Sequence, residues 1–439
     1  LREDIKKRIE IIQKGEVPEG YKRFMNTVIP ESWITDTIEN LFVFYGGLGK
    51  SRDELGSYGI PYLHYGDMHK SDSLTKTYTE YLDAPKCDVV IQGNEPFLMR
   101  DGDMLFLDAS EDLTGTYRAV VIDNPNNYHF IAGLHTFIGR QKVKRISKEY
   151  LQYITQPFIV SKQFMRMASG IKVSGINRNT IKPIQVIFPT KIDEQKKIAC
   201  ILGNYDKKRN LLVLLIEEKQ KKKKWLMQNL LTGKKRLKGF DTEWKKEKLG
   251  KLIFETNEKT SKNNEFEILS VTKNGIYKQS EHFNKQIASE DNVGYKILRK
   301  GNLVFSTMNL WMGSLDVLNK YDIGIVSPAY KTFDFNSEYM TVGFGEHFMK
   351  SSYMIWIYNI NSEQGASIVR KNLDLSGLLN TYVKVPSIEE QKAIAKILFQ
   401  ADKEIELLQQ RLEQIKLEKK AMMQLLLTGI VRVNQKEGE

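Results

Sequence analysis

"MQNLLTGKKRL" (residues 227–237) and "MQLLLTGIVRV" (residues 423–433) spell one helix ending twice. Setting Gly233 against Gly429 is a shift of 196 residues, and the match then runs back without a gap to Ile192 and Ile388. "IDEQKKIACIL" faces "IEEQKAIAKIL", Asp206 faces Asp402, and Lys223-Lys224 face Lys419-Lys420. About half of these roughly forty positions are identical, which is too long an ungapped match for chance. The chain is therefore organised by an internal duplication.

Each copy predicts one long helix. In the second copy Ile394, Leu398, Ala401, Ile405, Leu408, Leu412, Ile415, Met422 and Leu426 recur in steps of four and three, with Lys419 in the one gap. That is the heptad seam of a coiled coil. The first copy keeps Ile198, Leu202, Leu212, Ile216, Leu226 and Leu230 but places Tyr205, Arg209, Lys219 and Lys223 on the same seam. Its packing is expected to be looser or differently paired. Both helices should begin near the Glu-Gln pair, since acidic residues suit the positive N-terminal end. Both should stop at Thr-Gly, where Gly supplies a left-handed turn. A helix of about 39 residues spans roughly 58 Å.

Ahead of each helix lies a longer mixed segment with β-type runs: "DVVIQG", "DMLFLDAS" and "YRAVVID" in the first, "FEILSV", "GNLVFST" and "IGIVSP" in the second. Each segment closes in a Pro-associated strand, "IQVIFP" or "TYVKVP". The expected fold class is α+β: two mixed α/β globules joined by two long antiparallel coiled-coil helices about a rough two-fold axis. The expected domains are 1–21 (a helix with Ile5, Ile9 and Ile12 spaced four and three, packing near the C-terminal coil), 22–191 (first globule) and 192–239 (first spacer helix and exit). Then follow 240–387 (second globule), 388–430 (second spacer helix) and 431–439 (tail).

The 439 residues carry a formal net charge of +12 at 41% hydrophobic content. An acidic partner follows, DNA foremost. No apolar run approaches a membrane span of about 18 to 20 residues. Two cysteines, Cys87 and Cys200, make neither a disulfide framework nor a four-Cys zinc site, and no metal site is expected. A reducing cytoplasm is the expected location. The first residue is not Met, so the numbered chain is expected to start inside a longer one.

These features resemble the DNA-specificity subunits of type I restriction–modification systems over nearly the whole chain. The matching stretches are "GGLGKSRDELGSYGIPYLHYGDM" (46–68), "DGDMLFLDAS", "GSLDVLNKYDIGIVSPAYKTF", the "P..I.EQ..IA.IL" helix openings and both "LLTG" endings. The twice-occurring helix after a globule is the specific part. The resemblance implies two target-recognition domains, each reading one half of a split, asymmetric site in double-stranded DNA. The helices act as spacer and as the dock for methyltransferase subunits, expected to be two, with restriction or translocase subunits as further partners. S-adenosylmethionine, ATP and Mg belong to those partners, and this chain is expected to bind no cofactor and to have no catalytic residue. Its sequence agrees: it has no Asn/Asp-Pro-Pro-Tyr/Phe motif, and in "FYGGLGKS" Phe44 occupies the first Gly position of a phosphate loop.

Base readers need side-chain donors and acceptors, whereas phosphate contacts need only cations or backbone N–H groups. Loop candidates in the first globule are Lys50, Arg52, Arg118, Lys162, Arg166, Lys172, Asn177 and Arg178. In the second they are Asn309, Trp311, Lys331, Arg370, Lys371 and Asn372. The "MASG" and "EQGAS" segments read as loops. "KQKKKK" (219–224) winds around a helix, so most of its lysines should be solvated. The competing function is a coiled-coil scaffold joining two ligand-binding domains, which would lack salt-dependent duplex binding. A stand-alone enzyme is the third reading, and no triad or carboxylate constellation supports it.

Overall fold

The computed structural model describes residues 3–69, 73–110, 114–168, 174–272, 275–282, 291–367 and 370–433. It divides into two compact units, Leu1–Leu211 with Leu412–Glu439, and Leu212–Arg411. The two long helices run over Ile192–Leu230 and Ile388–Leu426, 39 residues each, and so occupy identical positions of the repeat. Each contributes one part to each unit.

In the first unit the chain enters its globule through β1 (Trp33–Thr37) and leaves through β7 (Gln185–Pro189). These pair antiparallel, with Pro189 opposite Trp33. Between them lie β2 (Phe42–Gly46), β3 (Thr75–Thr77), β4 (Met104–Leu107), β5 (Ala119–Asp123) and β6 (Thr136–Gln141). They form one sheet in the order β2-β6-β4-β5-β3, antiparallel except for the β5–β3 pair. β4 is buried at all four positions, which explains its continuous apolar run "MLFL". Phe106, Phe164, Phe188 and Trp33 fill a core that also takes Ile198 and Leu202 from the first long helix, Leu426 from the second, and Leu427 just past its end.

The second unit repeats the plan. β8 (Lys245–Lys248) is the entry, followed by β9 (Ile253–Thr256), β10 (Leu303–Ser306), β11 (Leu315–Val317), β12 (Tyr330–Phe335) and the exit β13 (Tyr382–Val385). β8 pairs antiparallel with β13, and the sheet order is β9-β12-β10-β11. Strand for strand this matches β2-β6-β4-β5. Leu230 of the first long helix, Leu231 just past its end, and Ile394 and Leu398 of the second complete this core.

The seam positions face inward in both units. Ile198, Leu202, Ile216, Leu230, Ile394, Leu398, Ile405, Ile415 and Leu426 are buried, and Leu212, Leu226, Leu408 and Leu412 are half-buried. Both helices end as the Thr-Gly spelling predicts. Gly233 and Gly429 have φ of 70° and 71°. Beyond them Lys235 N–H donates to Asn229 O at 3.1 Å and Val431 N–H to Leu425 O at 3.0 Å. These six-residue closures satisfy carbonyls that the helix end leaves open.

Two local readings need correction. "DVVIQG" is not a strand: it has turns and coil, and Val90 is 74% exposed, so its β-branched residues meet no sheet neighbour. "EQGAS" is not a loop: Ser362–Ser367 pairs antiparallel with Arg370–Leu373, with a register shift between Gln364 and Ser367.

Candidate nucleic-acid interface and its supporting clasps

The duplicated Glu-Gln pair has a function that helix-start chemistry did not suggest. Glu194 is 2% exposed and Glu390 is 1% exposed. Glu194 accepts from Arg432 Nε at 2.8 Å and Nη2 at 3.1 Å, and from Trp33 Nε1 at 3.4 Å. Glu390 accepts from Arg236 Nε and Nη2, both at 2.7 Å, and from Trp244 Nε1 at 3.1 Å. Each arginine stands three residues past its Thr-Gly glycine. In each unit one bidentate clasp thus joins the start of one long helix to the chain leaving the other, and the entry tryptophan closes it.

The glutamines are fully buried and fully used. Gln195 accepts from Ser147 N–H at 2.7 Å and donates to Arg145 O at 3.0 Å and Pro189 O at 2.8 Å. Gln391 accepts from Thr341 N–H at 2.8 Å and donates to Tyr339 O at 2.7 Å and Pro386 O at 3.1 Å. Buried amides with every partner met hold the globule rigidly to its helix.

A second reciprocal pair lies along the helices. Lys419 donates to Asp206 at 2.7 and 2.9 Å in the first unit. Lys223 pairs with Asp402 in the second, and Lys219 with Glu404 at 2.5 Å. In each unit the later residues of one helix therefore face the earlier residues of the other. The inside lysines of "KQKKKK" are spoken for, while Lys221, Lys222 and Lys224 are exposed. Tyr153 and His347, each six residues after the residue bonded to the buried glutamine, face these acids: Tyr153 Oη lies 3.5 Å from Asp206 and His347 Nε2 lies 3.8 Å from Asp402. Burial pushes the His347 imidazole down to about 4, against the pull of Asp402.

The candidate contact residues sit on these two rigid globules. Lys50 precedes a short turn (Arg52–Glu54) that Arg52 opens, with Lys50 on Glu54 at 2.9 Å and Arg52 3.7 Å from Asp67. No helix of phosphate-loop kind follows "GGLGKS" there. Arg118 is half-buried at the end of the β4–β5 connection. Lys162 lies 5.6 Å over the Phe158 ring on the helix Phe158–Met167, with exposed Arg166 one turn on. Lys172 lies outside the described residues.

Asn177 is occupied as a helix cap: its Oδ1 accepts from Asn179 N–H at 2.9 Å and Thr180 N–H at 3.0 Å. The next residue, Arg178, is exposed and joins Lys142 and Lys182 in a groove of about 670 Å³ along the edge strand β2. Lys142 and Lys182 escaped the sequence reading, because only the fold brings the end of β6 and the capped turn to one edge.

In the second globule the β10–β11 connection carries Asn309 and Trp311. Lys371 Nζ lies 4.9 Å from the Trp311 ring centre and donates to Asn359 Oδ1 at 2.6 Å. Lys331 is paired with Glu255 at 2.7 Å. Arg370 and Asn372 belong to the strand Arg370–Leu373, and Asn372 is exposed. Trp311 and Lys371 are thus brought together, while Lys331 is engaged with a carboxylate.

Comparison with known proteins agrees with this geometry. The profile of the type I restriction modification DNA specificity domain matches residues 30–221 and 241–417. A relative from Methanocaldococcus jannaschii, provisionally named the specificity subunit of type I restriction enzyme MjaX, is 28% identical over 94% of this chain and 97% of its own. The MjaVIII type I restriction enzyme specificity subunit of the same organism is 24% identical over 96% and 98%. Among solved structures, a chain from work on assembly and conformational transition of a type I R-M system shares 13% identity over 92% and 99%, with a TM-score of 0.58. The type I restriction-modification S subunit from M. genitalium aligns over 92% and 97% at 13% identity, TM-score 0.50. With both halves matched by one profile, the chain belongs to the family of type I restriction–modification DNA specificity subunits.

Proposed function

We propose that this chain is the DNA-reading, non-catalytic component of a type I restriction–modification complex, and that each globule reads one half of a split, asymmetric target. The observation that carries the reading is the duplication itself: one strand order and one clasp occur twice, while the loops between strands differ. A common frame with two dissimilar loop sets suits one protein that recognises two unlike sequences in a single duplex.

Cations on exposed edges, among them Arg178 and Arg166, supply sequence-independent phosphate attraction. Exposed polar groups outside the central sheets, such as Asn372 of the irregular hairpin, supply the base discrimination. The paired helices set the half-site spacing and dock two methyltransferase subunits. S-adenosylmethionine, ATP and Mg are handled by methyltransferase and restriction partners. The complex works in the cytoplasm, where it meets DNA.

The test is methylation mapping. Expressed with its methyltransferase partner, the chain should direct adenine methylation to one bipartite motif. Removing one or two helical turns from both long helices should shorten the gap, at roughly 3.4 Å of DNA axis per base pair, and leave the half-sites alone. Altered half-sites at an unchanged gap would refute the spacer role.

A further inference from the structure

The β10–β11 connection, "TMNLWMGS" at 307–314, contains no charged residue in a chain of net charge +12. It is nevertheless held in one shape. Leu310 is fully buried, and Asn309 O accepts from Met312 N–H at 3.1 Å and Ser314 N–H at 3.2 Å. Gly313 takes φ of 85°, and a Cβ there would stand 3.4 Å from Ile355 of the helix Ser352–Ile360. The anchored turn leaves two thioethers outside: Met308 is 40% exposed and Met312 is 44% exposed.

Exposed methionines on an anchored turn whose indole carries a lysine suit an apolar partner set among anions. Lys371, 4.9 Å from the Trp311 ring centre, stands on the same side of the loop as the indole. A base-pair step offers that combination: flat apolar faces inside, phosphates outside. Unbranched methionine adapts its shape to such a gap. Apolar side chains of this kind are inserted between base pairs by proteins that bend or open DNA.

We infer that Met308 and Met312 form a wedge that enters one base-pair step of the second half-site, with Lys371 on the adjoining phosphate. The inference rests on the DNA-reading function proposed above. Unstacking one step in this way lets the globule discriminate by deformability, since pyrimidine–purine steps open most easily. The equivalent β4–β5 connection of the first globule carries Asp108, Glu111 and Asp112 in its sequence and has no such pair of methionines. The wedge therefore acts on one half-site alone.

The test uses the complex of this chain with its methyltransferase partner and the mapped target duplex. 2-Aminopurine is placed at successive steps of the second half-site, away from the methylated adenine. One step should brighten several-fold on binding. Met308→Ala/Met312→Ala should return that step to the free-duplex signal and weaken target binding about tenfold. Met312→Leu should retain both. Because both methionines are exposed, thermal stability should be unchanged. An undiminished signal in the double variant would overturn the wedge. So would loss of methyltransferase binding with the step still unstacked, since the surface would then be a protein interface. A wild-type complex with no sequence-specific binding would overturn the DNA-reading function, and the wedge with it.

Discussion

The two globules share one strand order and one clasp, yet finish their central hairpins in opposite chemical styles. The β4–β5 connection is longer and acidic, "DASEDLTGTYR", whereas the β10–β11 connection is shorter and uncharged, "TMNLWMGS". The outer faces of the helices beneath them differ likewise. Phe158–Met167 presents Lys162 and Arg166 beside exposed Phe158 and Met167, whereas Ser352–Ile360 presents exposed Trp356 and Ile360. Groups that hold the helices, by contrast, recur almost atom for atom: Glu194 and Glu390, Gln195 and Gln391, Asp206 and Asp402. The frame and the reading surface are thus chemically separable, and recognition can change without disturbing what supports it.

The largest effect should come from exchanging residues 240–387 for the matching segment of another family member. Methylation mapping should then show a wholly new second half-site beside an unaltered first one. Change in both halves would mean the globules are not separable readers.

Next come the clasps. Arg236→Ala and Arg432→Ala each strand a buried carboxylate, which should cost about 3 kcal/mol. Denaturant titration should show nearly equal losses. A clear inequality would mean that the clasps match in geometry alone.

The two glycines sharpen the comparison further. Gly429→Ala must overcome its left-handed φ and a Cβ contact of 2.5 Å with Pro30, so it should cost roughly 2–3 kcal/mol. Gly233→Ala meets the Trp244 ring at 3.4 Å and should cost only about 1 kcal/mol. Thermal melts of both variants would check the order.

A comparably small effect is in pH. His347 is held down to about 4 by burial, against 6.5 for the unburied side chain, so the unfolded chain binds the extra proton between those values. Stability of the second unit should therefore fall as pH drops, by about 1.5 kcal/mol from pH 6.5 to 5. Burial pushes the corresponding Tyr153 hydroxyl upward, so the first unit has no such window from this position. Replacing His347 with Gln should flatten the slope measured by denaturant titration across that range.

Helix limits, seam positions and the closing strands were legible in the sequence because each is a local pattern: a repeat, a heptad, an apolar run. The Glu-Gln pair was legible as a signature and misleading as a mechanism. Its acid side chain does sit in the first turn, but its partners Arg432 and Trp33 lie far away in the chain, where no spacing rule reaches. Lys142 and Lys182 were hidden for the same reason. Asn177 shows the opposite difficulty: its residue type suits base reading, but its side-chain oxygen is spent on a local cap. "DVVIQG" had strand composition without a neighbour to pair with, and pairing is not a local property.

The first unit is discontinuous in the chain, whereas the second is a single run, Leu212–Arg411. On the ribosome the second therefore has all its parts first, although it comes later in the message. The first must wait, with Glu194 unclasped and the places of Leu426 and Leu427 empty, until Arg432 emerges. A transcript cut anywhere between codons 412 and 432 would release a chain whose second globule is complete and whose first is not. Completion of the first globule thereby waits on the segment that carries Arg432.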